Sequence, residues 1–192
     1  MRRLVLTLAV AFLAVGATAA QPVRQGAPLS EDERLLHQAA DDGDIEAARR
    51  LVEGGVRVDA RDPEDHTALM WAAFDGHTAV VRYLLDAGAA LEARDVFGRT
   101  SLMYASSGPN HEAVRLLLYR GAKIDLQDKE ERFTALMFAA AEGQDKVVRV
   151  LLEHDADPTL VDADGDTALS FATKNGHRTV VEILTAAPKP RR

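Results

Sequence analysis

Thr67 to Ala89 reads TALMWAAFDGHTAVVRYLLDAGA, and the chain says it again, with changes, three more times. It returns as TSLMYASSGPNHEAVRLLLYRGA from Thr100, as TALMFAAAEGQDKVVRVLLEHDA from Thr134 and as TALSFATKNGHRTVVEIL from Thr167. A degenerate copy precedes them over Leu35 to Val56, LLHQAADDGDIEAARRLVEGGV. In it Ala39 and Ala40 fall on Ala72 and Ala73, Gly43 on Gly76 and Leu51 on Leu84. The step is about 33 residues, with one extra residue in the third unit, a period at which each repeat is one supersecondary unit.

Each copy makes physical sense as such a unit. Leu69, Ala72 and Ala73 give a short first helix one small-residue face that can approach another backbone closely. Gly43, Gly76, Gly143 and Gly176 then stand where that helix stops and the chain turns, a place that favours left-handed backbone. Val80, Val81, Leu84 and Leu85, like Val147, Val148, Leu151 and Leu152, recur at the three-four spacing of an amphipathic second helix. The polar, turn-rich residues before each Thr, such as EARDVFGR and VDADGD, predict a short hairpin or extended loop. Neither helix buries its apolar face alone, so the units stack side by side into an all-α solenoid with one continuous core.

These units resemble ankyrin repeats, over about Leu35 to Leu184. The family's signature, Thr-Pro-Leu-His with an alanine pair beyond it, reads here TALM, TSLM, TALM and TALS. Ala68, Ser101, Ala135 and Ala168 replace its Pro, and Met70, Met103, Met137 and Ser170 its His, while the first copy retains His37. The departures bear on the family's usual side-chain hydrogen bonds in the loop, not on the fold. The resemblance implies about five helix-turn-helix units with short hairpin loops, at residues 30–66, 67–99, 100–133, 134–166 and 167–187. The third unit is the irregular one. It has Pro109 where the other copies have Gly, which predicts Gly108 as the left-handed residue of the turn. Its loop carries the extra residue and lacks the Gly that Gly98 and Gly165 supply elsewhere.

Outside the repeats, Met1-Arg2-Arg3, an apolar run from Leu4 to Val15 and the small residues Gly16 to Ala20 describe a cleaved secretory signal, with cleavage after Ala19 or Ala20. The run is too short to span a bilayer, which needs roughly 20 residues. Residues 1–19 are thus expected to be removed, 20–29 to form a flexible lead-in and 188–192 a flexible tail. Ser30-Glu31-Asp32-Glu33 fits a capping box that opens the first helix. The composition suggests a periplasmic or secreted protein. The absence of cysteine excludes a disulfide framework and a lipid-modified N-terminal Cys.

The net charge is −7, and loss of the two positive charges Arg2 and Arg3 with the signal takes it to −9. Scattered bases among more numerous acids argue against nucleic acid and against an anionic membrane surface as targets. The six His residues make no H-x-x-x-H or H-E-x-x-H spacing, so no metal and no cofactor is expected. Asp162-Ala163-Asp164-Gly165-Asp166 lacks the later Gly and Glu of a calcium loop and reads as a turn. No nucleophile motif orders the Ser, His and Asp residues, and an open stack offers no enclosed pocket, so a non-enzymatic module is expected. An enzyme with an unrecognised site and an inhibitor or immunity-like protein against an exported enzyme or toxin are the alternatives.

Trp71, Tyr104, Phe138 and Phe171 hold one equivalent position in four repeats and read as core, since each is flanked by burying Leu and Ala positions. The resemblance implies that a protein partner docks on the concave surface lined by hairpin tips and first helices, with the free protein monomeric. Matched to that pattern, Glu64, His66, Phe74, Asp75, Phe97, Arg99, Ser107, Glu130, Phe133, Glu142 and Asp164 are expected on the binding surface. Phe74, Phe97 and Phe133 are the aromatics that core packing leaves unexplained and so the expected anchors. The acids Asp62, Asp65, Asp95, Asp128, Glu131, Asp162 and Asp166 around them point to a partner that is basic on its facing surface.

Overall fold

The computed structural model describes residues 28–187; the signal, its cleavage site, nearly all of the lead-in and the tail lie outside the described residues. Ser30 opens the first helix as the sequence predicts. Its amide donates to Glu33 Oε2 at 2.9 Å, and its hydroxyl accepts from the Glu33 amide at 3.3 Å. Ten helices follow among the described residues, in five pairs. They are α1 (Glu31–Asp42) with α2 (Ile45–Glu53), α3 (Ala68–Phe74) with α4 (Thr78–Asp86), α5 (Ser101–Ser107) with α6 (His111–Tyr119), α7 (Ala135–Ala141) with α8 (Asp145–Glu153), and α9 (Ala168–Lys174) with α10 (Arg178–Ala186).

The first helices stack α1 on α3 on α5 on α7 on α9, and the second helices form a parallel outer row from α2 to α10. Between the rows runs one core. Leu36, Leu69, Leu102 and Leu136 enter it from the inner helices, and Leu84, Leu117, Leu151 and Leu184 from the outer ones. The alanine pairs Ala72 and Ala73, and Ala139 and Ala140, are fully buried, which is how seven-residue helices come close enough to bury their backbones against each other.

The turn glycines answer to two demands at once. At Gly43 and Gly143 φ is +73° and +69°, and a Cβ on either would lie 2.5 Å from the Nδ1 of His77 or His177. These rings belong to the next repeat along. Their Nε2 atoms reach back to the carbonyls of Asp41 at 2.8 Å and Ala141 at 2.9 Å, tying helix ends across repeats. In the third unit Asn110 takes the part of the His, its Nδ2 donating to the Phe74 carbonyl at 2.5 Å. Gly108 is not left-handed there, contrary to expectation: its φ of −114° and ψ of 178° are extended. Pro109 dictates this, because the residue before a proline is pushed out of the helical region into extended backbone.

Four hairpin loops are fastened alike, and the device is an aspartate. Asp62 Oδ1 accepts from the amides of Glu64 and His66, Asp95 Oδ1 from Arg99, Asp128 Oδ1 from Glu131 and Phe133, and Asp162 Oδ1 from Asp164 and Asp166. Asp95, Asp128 and Asp162 are consequently buried, at 1, 4 and 4 % exposure. They are loop ties and not the rim charges that the sequence suggested. One backbone bond joins each loop to the next, from Val96 to Glu64, Lys129 to Phe97 and Ala163 to Glu131. At the tips the left-handed residue is Gly98 and Gly165 in two loops, Asp65 in the first, and Arg132 at φ +59° in the third. The missing glycine of that loop is thus replaced by a strained arginine, at a cost of about 1 kcal/mol.

Candidate functional site

The residue just before each repeat Thr and the residue four after it meet on the inner face. His66 lies 4.9 Å from the Trp71 ring and 5.8 Å from the Tyr104 ring. Arg99 holds its guanidinium 5.3 Å over Phe138 and 5.1 Å over Phe97. Phe133 packs 5.4 Å from Phe138 and 4.8 Å from Phe171. Lys174 closes the row, paired with Asp166 and 5.9 Å over Phe171. Each bridging side chain therefore rests on one or two rings of the row, and the result is one ladder along the stacked inner helices.

Trp71, Tyr104, Phe138 and Phe171 are half-buried, packed on the core or on their neighbours and partly open to solvent, so the reading of them as core is half right. Phe133 is the clear correction among the expected surface residues. At 8 % exposure it is core, because the extra residue in its loop leaves it directly before Thr134, in the column that points at the aromatic row. Phe74 is 39 % exposed and edges onto Tyr104 at 6.2 Å. Phe97 is half-buried beneath Arg99. Glu64, Asp75, Glu130 and Asp164 are exposed, while His66, Arg99, Ser107 and Glu142 are half-buried. Ser107 turns its hydroxyl to the Tyr104 carbonyl at 2.7 Å. The residues that sequence reasoning missed as site members are Trp71, Tyr104, Phe138, Phe171 and Lys174. The recurrence of a large aromatic in one column was the signal.

His66 sits in a network that fixes its protonation. Its Nδ1 is 2.9 Å from Asp62 Oδ2, and its Nε2 is 3.0 Å from the Tyr104 oxygen. Tyr104 gives its only proton to Asp95 Oδ2 at 2.6 Å. Both imidazole nitrogens thus face acceptors and both must donate, which makes the ring an imidazolium between two carboxylates. Burial works against that charge, but Asp62 and Asp95 outweigh it and raise the His66 pKa. Burial, with Asp95 as its acceptor, pushes the Tyr104 phenol up as well. Neither group is poised as a base or a nucleophile. Asp62, Glu64 and His66 bring their ligand atoms within 4.8 Å of one another, yet Asp62 is consumed by two amides and the imidazolium. The cluster is a loop fastening and not an open ligand set.

A pH dependence follows from the sign of the His66 shift. Raised above the unfolded value of about 6.5, the folded pKa gives a stabilisation present in full below that value and lost as pH rises through the folded one. Urea denaturation of the wild type is therefore expected to show stability falling above about pH 6.5, and His66→Gln to flatten that fall. An unchanged slope in the variant would mean that the imidazolium does not couple to folding.

Among the described residues no helix is long and apolar enough to cross a membrane. No curated protein matches the chain. The family model described as ankyrin repeats (3 copies) matches residues 36–128 and 112–191, most of the chain and all of the stacked helix pairs but the start of α1, so the chain belongs to the ankyrin repeat family.

Proposed function

We propose that this chain is a protein-binding module, exported by its N-terminal signal, that holds its partner on the concave aromatic ladder. Ankyrin repeats are generally protein–protein interaction modules and typically non-enzymatic. The observation that carries the reading is the half-exposed aromatic column from Trp71 to Phe171, extended to solvent by Phe74. These rings pack on the core or on one another yet stay partly open to solvent in four successive repeats, and exposed aromatics in a row are what partners anchor on. The stretch from Arg2 to Ala20 supports export, since it has the charge, apolar length and small-residue ending of a cleaved signal. Intact-mass measurement of the exported protein is expected to give a chain starting at Ala20 or Gln21; full-length protein confined to the cytosol would overturn export.

Binding is tested by affinity capture from a periplasmic extract with the wild type and with Phe74→Ala and Phe97→Ala. Phe74 is exposed and Phe97, half-buried under Arg99, stays outside the core between the helix rows, so the variants are expected to keep their melting temperature and to lose the stoichiometric partner. A captured enzyme or toxin that loses activity on binding would identify the module as an inhibitor. Undiminished capture by both variants would remove the concave face as the site.

A further inference from the structure

The two halves of the ladder differ in what covers their aromatic faces. In the C-terminal half the molecule supplies its own cations: the Arg99 guanidinium lies over Phe97 and Phe138, and the Lys174 ammonium over Phe171. In the N-terminal half a cavity of about 310 Å³ opens beside Trp71, walled by Leu29, Arg34, His37, Gln38, Asp41 and Asp62. The basic side chains at it are already engaged, His37 with the Ala60 carbonyl at 2.9 Å. Arg34 is paired with Glu31, and His66 next to Trp71 is committed to Asp62 and Asp95. Trp71 therefore offers an aromatic surface and Leu29 an apolar wall, with carboxylates beside them.

We infer that this cavity receives an arginine or lysine side chain of the protein partner, its stem along Trp71 and Leu29 and its charge at the Asp41 carboxylate, with Asp75 at the adjoining helix end beyond it. The assignment rests on the protein-binding reading above and names the chemistry that half of the face selects. Asp41 and Asp42 end α1 and Asp75 caps α3, so three exposed carboxylates crowd the negative ends of two stacked helices. Neither helix has a basic residue in its last turn. Asp41 acts on Asp75 across the repeat boundary: burial together with Asp41 pushes the Asp75 carboxyl up to about 6. Like charges at the wrong helix ends, set against only the His77 ring on the Asp41 carbonyl, are a cost to the free protein that a bound cation removes, and violations of this kind mark functional positions. At the other end of the stack the last turn of α9 carries Lys174, so that rule is obeyed there.

The occupant is a side chain and not a metal ion. An indole face and a leucine wall suit the aliphatic stem and delocalised charge of a basic residue, which gains both cation–π attraction and apolar contact. A hard cation gains nothing from either and takes a shell of oxygens instead.

Trp71 is the single tryptophan of the chain, so its fluorescence reports on this cavity alone. The mature protein is titrated with three capped hexapeptides, Gly-Arg-Leu-Arg-Leu-Gly and its Gln and Glu counterparts at the two Arg positions. The basic peptide is expected to shift Trp71 emission saturably, more weakly as salt rises, while the other two leave it unchanged. Asp41→Asn and Asp75→Asn are each expected to weaken the basic peptide about threefold or more. Glu182→Gln, exposed on α10 in the outer row, is expected to leave it unaltered. Equal response to the neutral peptide, no response to the basic one, or full affinity in both Asn variants would overturn the inference. So would a Trp71 shift driven by calcium chloride alone and lost in Asp75→Asn, which would make the site a metal site. These results are separable from the parent reading: if the peptides fail while Phe74→Ala and Phe97→Ala still abolish partner capture, the module binds protein but not through a basic anchor here.

Discussion

Phe133→Ala is expected to cost about 3 to 5 kcal/mol of folding free energy and to lower the melting temperature by roughly 10 °C. The side chain is 8 % exposed and touches Phe138 on α7 and Phe171 on α9. Truncation removes the apolar transfer energy of a whole ring. It also leaves a cavity that two rings fixed on α7 and α9 fill only in part. The backbone there is fastened independently by the Phe133 amide on Asp128 Oδ1 at 3.1 Å, so the loop keeps its shape while the ladder above it loses a rung. Phe133→Leu, which restores most of the volume, is expected to recover about half of the loss. Thermal denaturation of the three proteins decides the matter. A Phe133→Ala protein as stable as Phe97→Ala would show that Phe133 is a surface residue after all.

That contrast locates where the sequence was legible. The period, the helix pairs, the Ser30 capping box and the turn positions all follow from spacings that recur, and the structure builds each of them. Phe133 and Phe97 look alike when read as loop aromatics. They separate only when counted back from the repeat Thr, since one lies a single residue before it and the other three before. The extra residue of the third loop disguised this by lengthening the segment between Asp128 and Phe133. Gly108 shows the same limit at shorter range. Its choice as the left-handed residue weighed the permissiveness of glycine and overlooked the restriction that Pro109 places on its neighbour.

The aspartates were misread for a chemical reason. A carboxylate on a rim and a carboxylate holding two loop amides have the same letter. What distinguishes them is a column, Asp62, Asp95, Asp128 and Asp162, held in every loop while the residues around it vary. Charges that serve binding have no need of such regularity, whereas a fastening repeated in each unit does. Asp41, Asp42 and Asp75 are the opposite case. Asp42 and Asp75 share a column with Gly108, Glu142 and Asn175, and Asp41 one with Phe74, Ser107, Ala141 and Lys174, and only the stacked geometry shows that they converge at two helix ends.

Leu117→Ala is expected to destabilise the protein by about 2 to 5 kcal/mol and Leu184→Ala by less, although both remove the same side chain. Leu117 is fully buried in α6, which packs on α4 and α8, while Leu184 in α10 has a neighbouring unit on one side only. In a stack whose stability is a sum of unit and junction terms, a central cavity weakens two junctions and a terminal one weakens one. The third unit is also the least secure. The Ser101 and Ser106 hydroxyls of α5 are buried without a hydrogen-bond partner, and Ser106 stands where α3 and α7 carry Ala73 and Ala140. A buried hydroxyl left unpaired costs about 1 to 3 kcal/mol, so Leu117→Ala falls on a link already weakened. The expected signature is a urea transition that broadens, with α1 to α4 and α7 to α10 losing amide protection at different denaturant concentrations. Leu184→Ala is expected to expose the amides of α9 and α10 alone and to leave the main transition sharp. Equal losses in the two variants, or a single sharp transition in both, would mean that the five units unfold as one block and that the third is no weaker than its neighbours.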